Sequence, residues 1–287
     1  MRMRVIEGPA QARHYVWIAV LVLLVAAAPR AQESSIDAAK RNTLDEILDT
    51  YVRDGYVYYR ALRAERGKLD RYVNQIASVD LNRLSRDEKM AFWLNAYNAL
   101  VLRTVVDHYP IQRRSRQYPE HSIRQIPGAF ERLPHHVAGR MVTLDQIEQT
   151  ILSTFNDPRV YFAIGRGAAG GGRLRSEAFA PTTMEAQLAE VASECASRAE
   201  CVHIDSVGNK LSAGAIFSWR EKDFIAAYAD KAPGVFASRA PIERAILGFV
   251  QPKLLTTERD FLIENTFQLA YKPFDWSLND RTGRGGR

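Results

Sequence analysis

Six side chains in this sequence could do chemistry together: Asn95, Asn98, Glu148, Tyr161, Arg166 and Arg175. Asn95 and Asn98 lie one helical turn apart in F-W-L-N-A-Y-N-A-L (92–100), a stretch otherwise rich in apolar residues. Asn is a mediocre helix former, and a buried amide without a partner costs roughly 1–3 kcal/mol, so two amides here need something to bond. They either tie down neighbouring backbone or line a polar pocket, with Glu148 as a carboxylate able to face them. Arg166 and Arg175 belong to G-R-G-A-A-G-G-G-R-L-R (165–175), whose guanidinium groups could fork onto a carboxylate or phosphate. The glycines themselves do not make a phosphate loop. There is no G-x-x-x-x-G-K-S/T, and no G-x-G-x-x-G opens a helix with an acidic residue ~20 positions on.

Elements able to position these groups can be read from spacing. Ser85 with Glu88 has the form of a capping box ahead of an apolar run ending at Tyr109-Pro110, which predicts a central helix apolar over most of its circumference. Thr143 with Gln146 repeats the pattern, and Leu144, Ile147, Ile151, Leu152 and Phe155 supply a helical stripe. Val160 to Ile164 reads as a short buried strand leading into the glycine loop, itself expected to be mobile or tightly turned. Helices are also predicted over 42–54, the stretch carrying Leu69 to Ile76, 182–195, 221–229 and 242–250. Val202–Ile204 and Lys210–Ser212 flank Gly208-Asn209 as a hairpin, and Phe267–Tyr271 alternates as a late strand. Residues 111–140, with three further prolines, read as an extended surface excursion. Together these make a single α+β domain, helix-rich with a small sheet.

Composition narrows the class. With 46% hydrophobic and 25% charged residues the chain is globular in type. Arginines 2, 4 and 13 precede thirteen apolar residues, Val16 to Ala28, and then Pro29-Arg30-Ala31. That run is shorter than the ~20 residues a spanning helix needs, so residues 1–31 are expected to be a signal peptide and the protein exported, periplasmic or extracellular. Membrane association is expected only through that segment. Of the net charge of +6, four Arg and one Glu in residues 1–31 account for +3, leaving a balance too even for a nucleic-acid partner. Cys195 and Cys201, the only cysteines, could close a local disulfide in an oxidising compartment. The six His residues show no metal spacing, and neither metal nor cofactor is expected. Ser277 has no nucleophile-elbow context.

The run F-W-L-N-A-Y-N-A-L-V-L-R-T-V-V-D-H-Y-P (92–110) resembles the signature helix of the domain of unknown function 547 family. The resemblance continues through T-L-D-Q-I-E (143–148), D-P-R-V-Y-F-A-I (157–164), L-R-S-E-A-F (174–179), F-S-W-R-E-K-D-F (217–224) and F-D-W-S-L-N (274–279). It implies a core domain over 81–279, preceded by a helical lead-in over 32–80, while D-R-T-G-R-G-G-R (280–287), without apolar content, is expected to be a disordered tail. Family members commonly carry His where this chain has Tyr161, Cys at Arg166 and Gly171, Pro at Gly172, and His at Gln149. Thiols and imidazoles so grouped would suit a nucleophilic or metal site, and Gly and Tyr can do neither job. The expectation is therefore a binding or scaffold module without catalysis, its partner a small molecule or envelope component. The alternative is a hydrolase or transferase with a polar pocket around Asn95, Asn98, Glu148 and the 165–175 loop. If the family's cysteines were only a disulfide, the glycines would mean only a looser loop.

Overall fold

A computed structural model of the protein describes residues 35–264 and 266–281. The expected leader and the tail beyond Arg281 lie outside them. In chain order the helices and strands are α1 (Ser35–Tyr51), β1 (Val52–Arg53), β2 (Tyr56–Val57), α2 (Tyr59–Ala64), α3 (Gly67–Ile76), α4 (Arg86–His108), β3 (His135–Val137), β4 (Arg140–Val142), α5 (Leu144–Gln146), α6 (Val160–Ala163), α7 (Met184–Ser197), β5 (Val202–Asp205), β6 (Lys210–Gly214), α8 (Ala215–Trp219), α9 (Glu221–Tyr228), α10 (Pro241–Val250), α11 (Thr256–Glu264) and β7 (Gln268–Lys272). The fold is α+β, helix-rich with small sheets.

α4 is the axis of the core. Its start is fixed by the Ser85–Glu88 box: the Ser85 N–H donates to Glu88 Oε2 at 2.7 Å, and the Glu88 N–H donates to Ser85 Oγ at 3.3 Å. Trp93, Leu94, Tyr97, Leu100, Val101 and Val105 are all buried, as are the small Ala96 and Ala99 that let neighbouring elements approach. α1, α2 and α3 pack on it, adding Leu44, Ile47, Tyr59, Leu62 and Leu69 to one continuous core. No helix among the described residues is long and apolar enough to cross a membrane.

The sheets are small. β1–β2 and β3–β4 are antiparallel hairpins, and β5–β6–β7 is a three-stranded sheet in which β7 lies parallel to β6, with Leu211 opposite Leu269. Asn209 turns the β5–β6 hairpin with φ +50, a conformation Asn tolerates better than most residues. Residues 111–140 are mostly irregular, although β3 and a 3-10 turn at Ile123–Gln125 give them more structure than an extended excursion.

Two expectations are corrected here. Val160 to Ala163 is a helical turn, not a strand. Asp157 Oδ1 accepts from the Arg159 N–H, which bends the chain at its start, and a short apolar run buried on all sides carries no periodicity to separate strand from helix. Asp280 and Arg281, assigned by sequence to a disordered tail, are held instead: Asp280 accepts from the Tyr109 hydroxyl and Arg281 donates its N–H to Val57 O.

Candidate functional site

The two amides of α4 act on backbone. Asn95 Nδ2 donates to Phe179 O at 2.9 Å while its Oδ1 accepts from Phe179 N at 2.8 Å. Asn98 does the same across the end of α6, donating to Ala163 O at 3.1 Å and accepting from Gly165 N at 2.9 Å. Each carboxamide thus satisfies a buried donor and a buried acceptor of a segment that has no ladder partner. These are clamps that hang the glycine loop and residues 178–180 on the central helix.

One helix further on, the Thr143–Gln146 capping box starts α5, which passes into a π-helical turn at Ile147–Ile151 and then a 3-10 turn at Leu152–Phe155. The wide turn carries Glu148, only 7% exposed, into the core. Arg166 grips it with both arms, Nε to Oε2 at 3.0 Å and Nη2 to Oε1 at 2.6 Å. Arg220, between α8 and α9, adds Nη2 to Oε1 at 2.6 Å, and the Tyr97 hydroxyl donates to Oε2 at 3.2 Å. Arg166 also donates to Tyr161 O, and it holds a backbone φ of +44, an unfavourable conformation for a side chain with a Cβ. Arg220 stacks its guanidinium carbon 4.3 Å from the Tyr161 ring centroid and donates to Gln149 Oε1, while the Tyr161 hydroxyl donates to Asp223 Oδ2 at 2.7 Å.

The electrostatics follow from these contacts. Burial alone would raise the Glu148 carboxyl, but Arg166 and Arg220 outweigh it and hold the group down at about 2. Tyr97 and Tyr161 are pushed upward, chiefly by burial, and stay neutral. An ionised carboxylate whose two oxygens already accept four hydrogen bonds has no lone pair poised to take a proton. Of the six residues singled out in the sequence, Glu148, Tyr161 and Arg166 meet here. Asn95 and Asn98 flank the cluster as clamps. Arg175 is elsewhere, pairing with Glu177 and, at 2.8 Å, with Glu190 at the surface. Sequence reasoning missed Tyr97, Arg220 and Asp223. An Arg directly after the aromatic F-S-W (217–219) was the available signal.

The glycine loop is the reverse of loose. A Cβ on Gly172 would lie 1.7 Å from Phe162 O, one on Gly170 2.5 Å from Asp275 N, and one on Gly171 2.8 Å from Gly165 O. Absence of side chains is what lets backbone pack on backbone. Ala169 N donates to Ser277 O and Gly170 N to Asp275 O, so residues 275–277 run beside the loop as a partner strand would. Beyond Gly172 opens a cleft of about 180 Å³ bordered by Arg173, Glu194, Arg198, Lys272 and Phe274. Its wall includes the Cys195–Cys201 disulfide, which ties the end of α7 to the start of β5 with Cα atoms 5.2 Å apart. No group of three His, Cys, Asp or Glu side chains able to hold a metal occurs among the described residues.

Searches of curated proteins and of solved structures return no match to this chain. Residues 81–194 match the model of a family described as "Protein of unknown function, DUF547". That span takes in α4 with its two amides, the Glu148 turn, the glycine loop and most of α7, and the match supports assigning this region of the chain to the DUF547 family.

Proposed function

We propose that this protein is an exported, non-catalytic binding or scaffold module whose ligand, a small molecule or an envelope component, enters the cleft beside Gly172. The observation that carries the reading is the contrast in solvent access. Both oxygens of Glu148 and both amides of α4 are taken up by other groups of the chain away from water, whereas Arg173, Arg198 and Lys272, each with a partner of its own, border an open concavity that a ligand can enter. A concave site with mixed apolar and polar walls is where a ligand finds both area and orientation. Export is supported by the charged and apolar pattern of residues 1–31 and by a disulfide, which persists in oxidising compartments.

The test is an amide NMR titration of the full chain with a fragment library, run beside a broad esterase, peptidase and phosphatase screen. Shifts gathered on Gly170–Arg173, Arg198 and Lys272 without turnover are expected. Turnover abolished by Glu148→Ala in a still-folded protein would replace this reading with the hydrolase or transferase alternative. For export, the protein recovered outside the cytoplasm should begin near residue 32, and an intact chain confined to the cytoplasm would refute it.

A further inference from the structure

Two stretches singled out in the sequence, F-S-W-R-E-K-D-F and F-D-W-S-L-N, meet at the rim of this cleft. Trp219 is 47% exposed, and its ring centroid lies 4.9 Å from that of Phe274 and 6.1 Å from that of Trp276, with interplanar angles of 32° and 24°. Trp276 in turn sits 4.4 Å from Phe274 and is braced by Phe130 at 5.8 Å and by the Arg124 guanidinium carbon at 4.5 Å. The result is a fixed aromatic face open to water, and Phe274 belongs to both the face and the cleft wall.

The polar lining of the cleft fits one chemistry better than others. Three cations, Arg173, Arg198 and Lys272, are matched by three carboxylates, Glu194, Glu200 and Asp275, so a strongly charged ligand gains no net Coulombic advantage there. The two sets are partly held by contacts of their own: Arg173 reaches Glu194 at 2.8 Å, and Lys272 donates to Ala199 O at 2.6 Å. Ammonium and guanidinium groups only donate, and carboxylates only accept. A hydroxyl does both, and a ligand rich in hydroxyls satisfies such a lining without carrying charge. The negative face of an indole attracts weakly positive C–H groups. A pyranose ring offers both surfaces at once, hydroxyls at its edge and C–H groups on its face.

We propose that the cleft and the Trp219–Phe274 face together form a site for a neutral oligosaccharide, one ring seated among Arg173, Arg198 and Lys272 and the next stacked on Trp219. The proposal rests on the binding reading above and names the ligand class for it. The full chain is titrated with chitotriose, maltotriose and cellotriose, followed by tryptophan emission and by calorimetry. A saturable response to at least one trisaccharide is expected, weakened at least tenfold by Trp219→Ala and by Lys272→Ala, with both variants still unfolding in one cooperative thermal transition. A saccharide response that Trp219→Ala leaves intact overturns the proposal, because the sugar then binds elsewhere. Silence toward all three sugars, with inorganic phosphate or triglutamate binding at the cleft, overturns the saccharide inference and leaves the binding reading standing. Silence together with a reversible dimer in sedimentation that Trp219→Ala abolishes makes the aromatic face a contact between two copies of this chain, and the proposal falls. Absence of any cleft response to sugars, anions or fragments removes both readings.

Discussion

Where the glycine loop begins, at Gly165 and Arg166, every strong polar group is turned inward: Asn98 grips the backbone, and Arg166 closes on Glu148 together with Arg220 and Tyr97. Where the loop reaches Gly172 and Arg173, charged groups stand around an open cleft. Residue type does not separate the two regions, since both hold arginine, carboxylate and aromatic rings. Solvent access does. In the first region the charges are removed from water and are tolerable only because each finds a partner, and in the second they keep donors and acceptors available for something else.

The largest expected effect tests the closed region. Glu148→Ala leaves Arg166 and Arg220 buried without their shared carboxylate, and the expected loss is about 3–5 kcal/mol in urea unfolding. A loss comparable to a surface substitution would show that water reaches the cluster. The same site sets an acid limit. Because the folded carboxyl is depressed from 4.5 to about 2, its stabilisation is complete above pH 4.5 and vanishes as pH falls through about 2. Stability of the unmodified protein should drop over that interval, and the Glu148→Gln variant should show a flatter profile there.

The next comparison is between glycines. Gly172→Ala forces backbone apart at Phe162 O and should cost ~3 kcal/mol, near the upper end for overpacking. Gly139→Ala has open space, and only its φ of +75 is disfavoured, at ~1 kcal/mol. Equal losses in thermal melts would mean that the loop relaxes freely. The smallest effect is expected from Arg175→Ala. Its partners Glu177 and Glu190 are exposed, so the loss should stay below ~1 kcal/mol in the same melts, with binding at the cleft unaltered.

Much of the fold was legible where the signal is local. Both capping boxes and the Gly208-Asn209 turn are features of four or five consecutive residues, and they stand where the spacing placed them. Val160–Ala163 was not legible as helix, because β-branched and aromatic residues favour strands until tertiary contacts override them. The site divided along the same line. Two amides one turn apart advertised themselves, but which backbone they clamp depends on Phe179 and Ala163, far along the chain. Arg220 joins Glu148 across 72 residues, and no spacing rule reaches that distance. The glycine run leaves mobile and tightly turned open in the sequence for a related reason: a missing side chain signals freedom in an isolated segment and close approach in a packed one, and the atom approached, Asp275 N, lies in another stretch.

Residues 275–281 supply carbonyls to Ala169, Gly170 and Val57, the Asn279 side chain to Tyr59 and Gly55, and a carboxylate to Tyr109. Translation proceeds toward the carboxyl end, so the amides of Val57, Ala169 and Gly170 are made long before the acceptors they finally use. The domain is therefore fastened by residues made after the groups they fasten, and a nascent chain stopped at Lys272 still lacks its buckle.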